Sequence, residues 1–260
     1  MTYNTLTWQL QGTIGTITLS RPEKRNAISV EMIDELLAVL DEAEASEVRV
    51  VIITGSGKAF CSGMDIDGLL TIASQTPKDH LEDSQRVAKM FRRLYTYPKP
   101  LIAAVNGAAV AGGCGIATLA DFTLAAPEAK LGYTEVRIGF IPALVAVFLR
   151  RQVGEKHARD LLLTGRIIDA AEAFRIGMVT EVVPAENLMA RARQIAETLL
   201  SVSPTSVVRT KKLLAEFEEA ALDAEIALAI QENADIRVTA DFREGVSAFL
   251  EKRTPQWKGR

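Results

Sequence analysis

The chain has 260 residues, of which 48% are apolar and 24% charged, enough for one large domain with a core that folds on its own. The net charge is −3 and no basic block stands out, which argues against a nucleic-acid partner. The polar start of the chain carries no apolar signal region, and no uncharged apolar run is long enough to span a bilayer, so a cytoplasmic protein without a membrane partner is expected.

Residues 5–11 and 14–19 read as strands joined at Gly12. Ser29 reads as a helix N-cap, because Val30, Ile33, Leu36, Leu37 and Leu40 follow at helical spacing. The continuous apolar run 48–54 reads as a buried strand that ends in Gly55-Ser56-Gly57. Residues 78–97 read as a helix with an apolar stripe at Val87, Met90, Phe91 and Leu94, stopped by Pro98 and Pro100. A second buried strand is expected at 101–105, then Asn106-Gly107 and a run of small residues to Gly115, then a short strand at 122–125. This alternation indicates α/β architecture. From Pro142 onward the pattern is almost all helix. Breaks are expected at Gly154, Gly165, Gly177, Pro184, Pro204 and Gly245, with one short strand near 179–183. The division expected is an α/β core over 1–200 and a helical region over 201–260.

Two glycine-bearing segments follow buried strands. In the first, residues 58–66, Gly63 permits a sharp turn and a close backbone approach to a ligand. In the second, residues 111–116, Gly112-Gly113 opens a helix and leaves backbone N–H groups free. Two such N–H groups converging on one oxygen make an oxyanion hole. Taken singly, each segment also fits an ordinary tight turn. Neither matches the dinucleotide or P-loop glycine patterns. Cys61 and Cys114 lack CxxC spacing and read as reduced thiols, with no metal site. His80 and His157 lie in charged helical surroundings and read as surface residues; no G-x-S-x-G context supports a hydrolase triad. Glu216, Glu218 and Glu219 read as a solvated helix face.

Taken together, the segments resemble the crotonase (enoyl-CoA hydratase/isomerase) superfamily. Arg21-Pro22-Glu23-Lys24-Arg25-Asn26-Ala27 is similar to that family's CoA-binding turn. Residues 58–66 are similar to its first oxyanion loop, and 104–107 continued through 111–114 to its second. Residues 132–142 are similar to its acid/base segment, and 163–166, 170–177 and 249–253 fit as well. The resemblance implies a spiral of ββα turns with a C-terminal helical trimerisation region, in a homotrimer or homohexamer. It implies oxyanion donors at the backbone N–H of Met64 and Gly112. It implies an acyl-CoA substrate contacted by Arg25, Ala27, Ser62, Asp65 and Ile66, largely through main chain, with methionine at 64 narrowing the acyl pocket. No cofactor is implied, since the CoA thioester is the substrate. Phe249 and Lys252 would approach the adenine or a CoA phosphate, in the same or a neighbouring subunit.

The resemblance also locates the acid/base chemistry. The family's two-glutamate hydratases carry one acid just after the second oxyanion loop, where this chain has Gly115, and one in the later segment, where it has Glu135. Glu135 lies between Tyr133 and Ile138, and burial there would raise its pKa into a usable range; an exposed surface glutamate is the plainer alternative. Ala143-Leu144-Val145 replaces a glycine-rich run, so the acyl end of the pocket should be reshaped. Three functions follow from this. The first is hydration of a 2-enoyl-CoA by Glu135 alone, with overall similarity to methylglutaconyl-CoA hydratase-like members. The second is 3-enoyl to 2-enoyl-CoA isomerisation by the same single acid. The third is a non-catalytic acyl-CoA-binding scaffold, against which Glu135 argues.

Overall fold

The computed structural model describes residues 3–65 and 75–259. Strands β1 (Leu6–Gln11) and β2 (Ile14–Leu19) form an antiparallel hairpin, and the chain then enters α1 (Val30–Ala45). Ser29 caps α1 by accepting the Met32 N–H at 3.1 Å. The buried stripe Met32, Ile33, Leu36, Val39, Leu40 and Ala43 holds α1 to the sheet, while Val30 stays exposed.

The chain then repeats one unit. A strand enters a large sheet, the next strand enters a small sheet, and a helix follows. The repeats are β3 (Val50–Gly55), β4 (Ala59–Cys61) and α2 (Pro77–Tyr95); β5 (Leu101–Val105), β6 (Ala108–Val110) and α3 (Gly112–Thr118); and β7 (Phe122–Ala125), β8 (Lys130–Gly132) and α4 (Ala143–Thr164). After α4 come β9 (Ile167–Asp169), α5 (Ala170–Arg175), β10 (Glu181–Val182), α6 (Leu188–Leu200), α7 (Pro204–Glu216), α8 (Glu219–Asp235) and α9 (Ala240–Leu250). The large sheet runs β1-β2-β3-β5-β7-β10, parallel except for the first pair, and the small sheet runs β4-β6-β8-β9. This is the ββα spiral that the resemblance implies.

Packing explains why β3 and β5 read as unbroken apolar runs. Val51, Ile53, Ala103 and Val105 belong to a core shared with α1 and α2, whereas Val50, Ile52, Ile102 and Ala104 pack on the other face against Leu188, Ala192 and Ala196 of α6. Each strand has two buried faces, so neither shows polar alternation. Strands β4, β6, β8 and β9 are three residues each, too short to show a period, and none was legible from the pattern.

Two sequence expectations change. Gly154 breaks the helical dihedrals inside α4, as expected, but Gly245 lies within α9 rather than ending it. A Cβ on Gly245 would collide with the Ile138 carbonyl, so glycine is there for a close approach and not for a turn. His80 is buried at 3% exposure on the inner face of α2, not at the surface, whereas His157 is exposed as expected. The helices after residue 200 also share the main core: Leu222, Ile226 and Ala229 are part of it.

Candidate active site

The site begins at the turn after β2. Residues Pro22–Lys24 form a single 3-10 turn, and Arg25 and Asn26 follow at φ of 51° and 54°, a left-handed conformation that non-glycine residues adopt only when surrounding contacts enforce it. Asn26 supplies those contacts. It is fully buried, its Nδ2 donates to Ser56 O and Ala59 O at 2.9 Å each, and its Oδ1 accepts from Arg21 N at 2.9 Å. Arg21 completes the lock, donating to Ala27 O at 2.6 Å and pairing with Asp65 at 2.7 Å. Ser62 N–H donates to Arg25 O at 3.1 Å. Arg25, Ala27, Ser62 and Asp65 are thereby brought into one corner, with Arg25 exposed and the Asp65 carboxylate engaged by Arg21. Ile66 lies outside the described residues. Arg21 and Asn26 were quoted in the motif but not singled out, and it is these two that hold the corner together.

The next step in the chain brings two backbone segments side by side. Ile28 and Met64 form a parallel bridge in which Ile28 N–H donates to Gly63 O at 2.8 Å and Ile28 O accepts from Asp65 N–H at 2.9 Å. In a parallel bridge of this kind the Met64 N–H points away from Ile28. Gly63, at φ 89°, turns the strand there, and a Cβ on it would lie 3.0 Å from Ala111 Cβ and 3.7 Å from Gly112 N. Ala111 holds the facing loop at φ 51°, ψ −128°, and its N–H donates to Gly132 O at 2.8 Å. Gly112 is the first residue of α3, so its N–H has no acceptor within the helix. The Met64 and Gly112 segments are therefore neighbours. Ile28 and Phe91 border Gly112, because a Cβ there would meet their side chains at 3.2 and 3.7 Å.

Glu135 opens a 3-10 turn, Glu135–Ile138, three residues beyond the Gly132 carbonyl that holds Ala111. Its stem is part-exposed, but Oε2 is sealed from solvent and has no hydrogen-bond partner among the described residues. Burial pushes the carboxyl up to about 7, opposed only by its own backbone N–H. The surroundings are neutral. Tyr133 is buried with its hydroxyl 3.1 Å from Thr118 Oγ1, and burial pushes the Cys114 thiol up to about 12. Cys61 and Cys114 are both buried and unpaired. At Gly115 a side chain would be crowded, since a Cβ would lie 3.0 Å from both Phe91 Cε1 and Val145 Cγ1, which would have to give way.

A sequence model of the enoyl-CoA hydratase/isomerase family matches residues 9–260. The chain is 44% identical to a putative enoyl-CoA hydratase from Thermus thermophilus, covering 95% of this chain and 98% of that one. It is 35% identical to 2,3-dehydroadipyl-CoA hydratase from Escherichia coli, covering 94% of each. Among solved structures, an enoyl-CoA hydratase/isomerase from Xanthobacter autotrophicus superposes with a TM-score of 0.89 at 31% identity, over 97% of this chain and 98% of the other. Carnitinyl-CoA hydratase from Mycobacterium avium superposes with a TM-score of 0.84 at 30% identity, over the whole of both chains. With a full-length family match, relatives of this identity and the spiral fold, the chain belongs to the enoyl-CoA hydratase/isomerase family of enzymes, the crotonase superfamily.

Proposed function

We propose that this enzyme adds water to a 2-enoyl-CoA, with Glu135 as its single acid/base. The observation that carries the reading is the sealed Glu135 carboxyl, with its pKa near 7, on a turn tied through Gly132 to the loop that presents Gly112. A group titrating near neutrality serves as base in one step and acid in the next. The thioester oxygen sits between the N–H groups of Met64 and Gly112. The Glu135 carboxylate takes a proton from water as the water oxygen bonds to C3, and the C2–C3 π electrons move toward the thioester, whose oxygen gains charge. The protonated Glu135 then returns that proton to C2, which restores the carboxylate and leaves a 3-hydroxyacyl-CoA. The two N–H groups stabilise the intermediate as charge develops. Arg25, Ala27, Ser62, Asp65 and Ile66 hold the CoA portion. The chemistry draws on the thioester itself and uses no further cofactor. The hydratase names of full-length relatives support this reading.

One observation favours a second reading, isomerisation of a 3-enoyl-CoA. Phe91 and Val145 close the space beside Gly115, so the site has an apolar wall there. A single carboxylate that removes a proton at C2 and returns it at C4 needs no bound water. Incubation with crotonyl-CoA and with 3-hexenoyl-CoA separates the two. Hydration of the first supports the proposal, and double-bond migration in the second without hydration of the first replaces it.

The assembly proposed is a homotrimer or a dimer of trimers. Within the C-terminal helices, Ile226 and Phe242 are buried in the chain itself, while Leu228 and Phe249 are exposed. Leu213, Leu214 and Phe217 of α7 and the loop after it add to the exposed apolar surface. Light scattering at micromolar concentration should give a multiple of three chains; a stable monomer would contradict it. The cytoplasm is the compartment proposed, supported by two buried cysteines that form no disulfide. Among the described residues no helix is long and apolar enough to cross a membrane.

A further inference from the structure

Glu135 has a carboxyl oxygen with no hydrogen-bond partner among the described residues, so no side chain described here aims it. Its direction is set by the backbone of the turn it stands on. That turn is supported from outside by the C-terminal part of the same chain, through three contacts. Gly139 ends the turn at φ 67°, and a Cβ on it would collide with Asp241 O at the start of α9. One helical turn further on, Gly245 lets the α9 backbone lie against Ile138 O. The Phe140 N–H closes the turn on Glu135 O at 3.0 Å, and the Phe140 ring packs on Phe242 with centroids 5.3 Å apart.

Behind Phe140 stands a buried cation. Arg237 is 6% exposed, and its guanidinium lies 5.6 Å from the Phe140 ring centroid. It pairs with Asp83 of α2 at 2.7 Å and donates to Asn233 Oδ1 at 3.0 Å and Asn233 O at 3.2 Å. Asn233 Oδ1 also accepts from Ser84 Oγ at 2.8 Å. A charge buried this deeply is costly to leave without its partners, so Arg237 ties these segments together. It joins α2, α8 and the segment leading into α9, and its guanidinium meets the ring of Phe140, the residue that closes the Glu135 turn.

We infer that Arg237, with the close α9 contact at Gly245, is a positioning residue: it acts through Phe140 to hold the Glu135 turn in register with the substrate. The C-terminal helices thus serve the site of their own chain, separately from any part they take in assembly. The inference rests on Glu135 being the acid/base. It makes Arg237 matter to turnover rather than to acyl-CoA binding, because the CoA corner at Arg25, Ala27, Ser62 and Asp65 lies on other segments.

The test compares Arg237→Met, Arg237→Lys and Gly245→Ala with wild type in hydration of crotonyl-CoA, alongside Glu135→Gln. Each variant is first checked for folding by thermal melting, and assayed well below its melting temperature. A loosened turn displaces the carboxyl by a fraction of an ångström to an ångström, so kcat should fall by roughly tenfold to a hundredfold in Arg237→Met while KM changes by less than about threefold. Arg237→Lys keeps the charge and should recover part of the loss. Gly245→Ala adds one methyl against Ile138 O and should lower kcat in the same way without touching the Arg237 cluster. The inflection in the pH profile of kcat/KM should move in these variants and in no variant of the CoA corner. Lower melting temperatures with unchanged kcat and pH profile in Arg237→Met and Gly245→Ala would show a structural role only and overturn the inference. If Glu135→Gln is inactive while those two variants turn over normally, the inference fails alone; if Glu135→Gln is active, the reading beneath it fails as well.

Discussion

Val145 stands against Gly115: a Cβ on the glycine would lie 3.0 Å from Val145 Cγ1, with Phe91 Cε1 equally close. The two side chains crowd the Cβ position from which a second acid would start. Gly115→Glu therefore does not supply a free carboxylate to the site. It forces the buried wall apart and places a charge among apolar neighbours. We expect the variant to lose at least about 2 kcal/mol of stability, and hydration to fall rather than rise. Adding Val145→Gly should relieve the crowding and restore part of the lost stability. Urea denaturation of the three proteins checks this, and a Gly115→Glu variant as stable as wild type would contradict the packing account.

The oxyanion donors give a second prediction. Gly112→Pro removes one N–H, and proline disfavours the preceding Ala111 conformation, φ 51°, ψ −128°. Turnover should fall by about a hundredfold or more, the usual cost of losing one such donor. Thermal melting must show that the variant is folded. A folded variant with near-normal turnover would remove Gly112 from the site.

The Glu135 carboxyl gives a prediction in pH. Its usual value is 4.5, and burial raises it to about 7 in the folded chain. Below 4.5 both folded and unfolded chains hold the proton; between the two values only the folded chain holds it. Stability therefore falls as pH rises through that window, by at most roughly 3 kcal/mol. Glu135→Gln has no proton to lose there. Its stability relative to wild type should rise from pH 4.5 to pH 8, measured by urea denaturation at both values. A difference that does not change with pH would show that the carboxyl is not desolvated. For the same reason hydration by wild type should rise with pH through about 7, since the base must be ionised.

Much of the site could be read from local pattern, because the local chemistry is strong. Ser29 caps α1, the apolar run at Leu101–Val105 is a strand, and Gly112 opens a helix, all as the residue types suggest. The sealing of Glu135 Oε2 fits the apolar neighbours that the sequence gives it, and Tyr133, two residues away, is buried. What escaped the sequence depends on partners far along the chain. Gly245 reads locally as a helix breaker, and only the nearness of Ile138 O explains it inside α9. His80 carries a polar signature, yet α2 turns it inward beside Ser84. Val145 was expected to reshape the acyl end of the pocket, but nothing in its own segment reveals that it faces Gly115 and Phe91.

The central claim is that Glu135 alone moves the proton. The direct measurement is hydration of crotonyl-CoA by Glu135→Gln, with acyl-CoA binding followed separately. The substitution keeps the size of the side chain and removes the proton acceptor. Turnover should drop by roughly a hundredfold to ten-thousandfold, the range typical of losing a general acid–base group, while acyl-CoA binds about as before. Full hydration by a folded Glu135→Gln protein would contradict the account and move the non-catalytic acyl-CoA-binding role, or a different acid, to first place.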